Sequence, residues 1–106
     1  MSTFLLNSTS SKKDAQIQQA IGALRTMAAL STYGSLNFKR LESCKSKVLE
    51  LQLSDSLKSK AKSLFDSAAR YMKHEEIGAL KFELNLITQL LRRHSDEVSS
   101  KAWAQI

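Results

Sequence analysis

The residues able to do proton or metal chemistry are few and poorly placed for it. His74 and His94 are the two histidines, and neither has a serine or cysteine nucleophile at a recognisable spacing. His74 with Glu75 and Glu76 would hold a metal only with a further ligand from elsewhere in the fold. Capping or plain solvation is the ordinary role of a histidine at a helix junction. Gly22, Gly34 and Gly78 are isolated from one another, so no glycine-rich loop can cradle a phosphate. Cys44 is the single cysteine. Lys45 and Lys47 beside it would lower its pKa, whereas a lone cysteine on a helix is more often a small core residue. The expectation is a chain that is not an enzyme and has no cofactor and no metal.

Positive charge is the chemistry the chain does carry. Sixteen Lys and Arg against ten Asp and Glu leave a net charge of +6. That excess favours nucleic acid, an acidic protein face or an acidic membrane, with solubility as the plain alternative. Lys39, Arg40, Lys45, Lys47, Lys58, Lys60 and Lys62 crowd into one stretch against Glu42, Glu50 and Asp55. Arg40 and Lys47 are two helical turns apart and share a face, with Ser43 between them, and Lys58 and Lys62 share another. Lys, Arg and Ser on an exposed helical face suit phosphate and 2′-hydroxyl groups without reading bases. No aromatic residue interrupts the patch, which argues against stacking on single strands. If this face binds duplex RNA, the contacts fall to Lys39, Arg40, Ser43, Lys47, Lys58 and Lys62. Trp103 and Ile106 are the candidates for binding a protein partner, since Trp103 either closes the fold or anchors a partner.

The elements that must position these residues follow from spacing. The chain has no proline, and five stretches repeat apolar residues at three-and-four intervals, which predicts an all-α fold, a compact bundle of four to five helices. At 106 residues it is one domain, with a mobile serine-rich tail over 1–11 and the bundle over 12–106. Ser11 and Asp14 look like an N-cap with an acidic first turn. Ile17, Ile21, Leu24 and Ala28, with Met27, mark the first helix. Gly22 within it suggests a close helix approach, and 31–35 reads as a loop. A second helix over 36–51 carries Phe38, Leu41, Cys44, Val48 and Leu51. Ser54 caps a third, with Leu57, Ala61, Leu64, Ala68 and Tyr71, widened by Phe65 and Met72. The fourth, 75–93, has Ile77, Leu80, Leu84, Ile87 and Leu91 on one stripe and Ala79, Phe82, Leu86 and Leu90 beside it. So wide an apolar face belongs at the centre of the bundle. Ser95 then caps a short last helix with Val98, Ala102, Trp103 and Ile106.

No stretch reads as a membrane span, because Lys81, Glu83 and Asn85 interrupt the most apolar one. The start lacks the positive charge of a signal peptide. With one cysteine, a reducing, intracellular compartment is expected, cytoplasmic in preference to nuclear.

Two families share residues with this pattern. Lys39-Arg40-Leu41, Gln52-Leu53-Ser54, Leu57, Ala79, Phe82, Glu97 and Trp103 resemble the helical domain shared by steroid receptor RNA activator proteins and the large outer-coat subunit of COPII vesicles. The resemblance spans 36–106 and implies a helical bundle that works through protein contacts. Ile17-Gln18, Ala20 and Ile21, then Leu41, Cys44 and Lys47, are similar to the first two helices of the silencing suppressors of insect nodaviruses. That resemblance implies a dimer laying helices along duplex RNA. The reading favoured by the sequence is a non-enzymatic protein-binding or scaffolding module, whose leftover apolar strip takes a protein partner or a second copy. The alternative is a dimeric, sequence-independent double-stranded RNA-binding protein.

Overall fold

The computed structural model describes residues 8–34 and 36–104, with side chains described over 13–34 and 36–97. It contains four helices: α1 Ser8–Thr32, α2 Phe38–Leu49, α3 Asp55–Lys73 and α4 Ile77–Ala104. Each helix packs on its neighbours in the order α1, α2, α3, α4 and back to α1, while the diagonal pairs make no close backbone approach among the described residues. Short connections at 33–37, 50–54 and 74–76 make successive helices antiparallel. The result is an all-α four-helix bundle.

One continuous core fills it. Helix α1 supplies Ile17, Ala20, Ile21, Leu24 and Met27, and α2 supplies Leu41, Cys44 and Val48. Ala61, Phe65, Ala68 and Met72 come from α3, and Leu80, Leu84, Ile87 and Leu91 from α4. Helix α4 makes its broadest contacts with α1 and α3, as its wide apolar face requires.

The helix boundaries depart from the sequence expectation in instructive places. Helix α1 begins at Ser8, so residues 8–11 are helical backbone rather than tail; residues 1–7 lie outside the described residues. The expected break at Ser95 does not occur, and α4 runs through it. Arg92 and Arg93 are exposed and cost a helix interior nothing. Ser95 Oγ instead donates to Asp14 Oδ1 at 3.0 Å, tying α4 to the start of α1. The serine expected to cap a last helix thus bonds the aspartate expected in the first turn of α1. Ser31, expected in a loop, is a fully buried residue of α1 whose Oγ donates to the Met27 carbonyl at 2.8 Å. Thr88 in α4 is also buried, with Oγ1 donating to the Leu84 carbonyl at 2.9 Å. A hydroxyl satisfied by its own helix can face the core without an orphaned donor.

Other expectations fail in side-chain direction. Phe38 is 53% exposed at the first position of α2, and Phe82 is 61% exposed on the back of α4. In α3 the buried line is Ala61, Phe65, Ala68 and Met72, leaving Leu57, Leu64 and Tyr71 half-buried on its flank. Gly22 is exposed, and a Cβ there would meet nothing within 4 Å, so no close helix approach explains it. The Ser54 cap agrees with the sequence, whereas Asn37, which spacing placed inside the second helix, caps it instead. Asn37 Oδ1 accepts from the Lys39 and Arg40 amides at 2.9 and 3.3 Å, and Ser54 Oγ accepts from Leu57 N–H at 3.2 Å.

The α3–α4 turn closes without glycine. Glu76 N–H donates to the Tyr71 carbonyl at 2.9 Å and Glu75 N–H to the Met72 carbonyl at 3.1 Å. This paired pattern requires a left-handed residue just past the helix, and Glu75 takes it at φ 56. A side chain there costs about 1 kcal/mol. Glu75→Gly is therefore expected to raise the unfolding free energy by about 1 kcal/mol in a urea titration. A loss of stability instead would mean the Glu75 side chain makes a favourable contact.

Candidate functional site

Two surfaces gather the residues that could bind something. The first is the basic face of α2 and α3. Lys39, Arg40, Ser43, Lys47 and Lys62 are exposed, and Lys58 is half-buried. Arg40 and Lys47 lie close enough together that the positive charge of both reaches Cys44. Lys47 also lines a depression of about 250 Å³ between α1 and α2, with Gln16, Gln19 and Glu50 among its walls. That places Arg40 and Lys47 on the α1 flank of α2. Lys58 and Lys62 sit on the flank of α3 turned from α4, so α2 separates the two cation pairs. The structure brings each pair together and does not merge them into a single cluster.

Cys44 lies beneath this face and is 2% exposed. Burial pushes its thiol pKa up, more than Lys47 and then Arg40 pull it down. The thiol is expected to react with a thiol-specific reagent only as fast as the chain opens. Rapid labelling of the folded protein would contradict this. The linkage has a definite sign. Below the ordinary thiol pKa both folded and unfolded states hold the proton, and stability is complete. As pH climbs above that value the unfolded thiol ionises first, so stability falls toward the folded pKa.

The second surface is a groove between α3 and α4. Leu64, Leu86 and Leu90 form its half-buried floor, and Lys60, Gln89 and Arg93 form its exposed rim, around a volume of about 260 Å³. Leu90 also lines a shallower depression with Leu53 and Leu57, extending the apolar strip toward the start of α3. Glu83 lies on the same flank of α4, three residues before Leu86, and its Oε2 is buried without a hydrogen-bond partner. Sequence reasoning named these leucines as core or as a second stripe and did not see the groove. The available signal was the excess of apolar positions on α4, more than two neighbouring helices can cover.

The remaining candidates are dispersed. His74 is the exposed C-cap of α3. His94 borders a cleft of about 70 Å³ with Lys13, Gln16, Ile17, Leu51 and Gln52. No group of three or more His, Cys, Asp or Glu that could hold a metal occurs among the described residues, and no helix there is long and apolar enough to cross a membrane. Trp103 has its backbone in α4, but its side chain lies outside the described residues, as does all of Ile106. Fold and surface together define an all-α four-helix bundle with a basic face and an apolar groove. No family model matches the chain, and no curated protein or solved structure shows significant similarity to it.

Proposed function

We propose that this chain is a non-enzymatic helical binding module that engages a protein partner through the α3–α4 groove. The observation that carries the reading is the half-buried Leu64, Leu86 and Leu90 floor, which no other helix covers among the described residues. At about 260 Å³ the groove lies below the roughly 300–1,000 Å³ of small-molecule sites. Its size and apolar lining suit anchoring side chains from another protein. The lone buried thiol fits a reducing intracellular setting, with the cytoplasm favoured. The test is selection of peptides from a random-sequence display library on the immobilised protein. Enriched peptides are expected to bind in solution and to lose binding to Gln89→Trp, an exposed rim substitution that fills the groove without touching the core. Peptides indifferent to that substitution, or no enrichment at all, would defeat the reading.

A second reading rests on Arg40 and Lys47, both exposed and two turns apart on one face of α2. On it, the chain is a dimeric duplex-RNA binder that grips phosphates without regard to sequence. Replacing both cations with alanine then weakens binding equally for every duplex and flattens its salt dependence. Absence of a mobility shift with duplex RNA even at low salt ends this reading.

A further inference from the structure

The groove is electrically uneven, and that unevenness bears on what occupies it. Lys60 on α3 and Arg93 on α4 stand on opposite walls, and neither is buried. The apolar floor between them comes from Leu64, Leu86 and Leu90. Toward the other end, the flank of α4 carries the Glu83 carboxylate, with its inaccessible Oε2. The ten residues from Glu83 to Arg93 rise about 15 Å along α4, or about three turns. A ligand lying in this groove therefore meets cations on both sides at one end and leucines along its floor.

We propose that the occupant is an amphipathic helix of a partner protein, with an apolar stripe of about three turns flanked at one end by acidic side chains. This rests on the groove reading above and specifies its partner. A helix fits because two antiparallel helices form a trough whose ridges receive a third, anchored at i, i+4 and i+7 positions. Acidic flanks fit because Lys60 and Arg93 border the same stretch of floor, in a chain of net charge +6. A second copy of this chain is the poorer occupant. A twofold contact through the groove would press those two cations toward their own copies, and like charges brought together oppose association.

The experiment uses the full chain and two synthetic peptides of roughly 18 residues, about five helical turns. Both carry leucines at i, i+4, i+7 and i+11, one flanked by glutamates and the other by lysines at the same positions. Fluorescence anisotropy is expected to show micromolar binding of the glutamate peptide and at least tenfold weaker binding of the lysine peptide. Lys60→Glu with Arg93→Glu, both exposed and so compatible with folding, should weaken the glutamate peptide about tenfold, the combined effect of two partly screened charge pairs. Gln89→Trp should abolish binding of either peptide. Equal affinity for the two peptides, displaced by Gln89→Trp, would overturn the acidic occupant while leaving the groove as a binding site. Binding of neither peptide would overturn both. A wild-type dimer that Gln89→Trp converts to monomer would assign the groove to a second copy instead. Loss of a duplex-RNA mobility shift in the double-glutamate variant, without peptide binding, would assign the two cations to nucleic acid.

Discussion

Phe65→Ala is expected to destabilise the protein by about 3–5 kcal/mol, the range for deleting a buried aromatic ring. The reason lies in the composition of α3. Its buried line is Ala61, Phe65, Ala68 and Met72, and the two alanines, 2% and 0% exposed, offer little volume of their own. Phe65 is therefore the plug that fills the space between α3 and the rest of the core. Removing the ring opens a cavity that the small neighbours cannot collapse to fill. Phe65→Leu keeps most of the volume and should cost less than about 1.5 kcal/mol. Urea denaturation of both variants measures this. Equal losses for Ala and Leu would show that ring shape, rather than filled volume, holds α3 in place.

Leu84→Ala comes next, with an expected loss of about 2–5 kcal/mol. Leu84 is 1% exposed near the middle of the core-facing stretch of α4, the helix with the broadest contacts to α1 and α3. Its carbonyl also accepts the Thr88 hydroxyl, so the buried polar group next to it depends on undisturbed helix geometry. Arg92→Ala, at an exposed position of the same helix, should change stability by no more than about 0.5 kcal/mol. Thermal unfolding of the pair provides the comparison. Similar losses at the two positions would mean that α4 buries a different face. Lys81, half-buried on the flank of α4, makes a poorer control.

The sequence by itself determined the all-α class of fold and most of the core, and it left the helix count at four to five. Leu41, Cys44 and Val48 in α2, and Leu80, Leu84, Ile87 and Leu91 in α4, are buried where their spacing places them. Apolar periodicity is a local property, and a stripe one turn apart must face something. Ser54 was legible as a cap for the same reason, since its bond to Leu57 N–H spans a single turn.

What tertiary structure decided is which of several adjacent apolar stripes faces inward, and where a local signal is overruled. On α3 the inward line passes through Phe65 and Met72, because the positions of α2 and α4 fix the rotation of the helix, and this leaves Leu64 on the groove. Ser95 reads as a helix cap and Asp14 as the acidic first turn of a different helix, yet they bond each other across the bundle. A hydroxyl ends a helix only when it finds no better partner, and no window of sequence contains a partner from the opposite end of the chain. The groove is legible only in three dimensions for the same reason. Lys60 and Arg93 lie on different helices, and only the antiparallel packing of α3 on α4 brings them to its two rims.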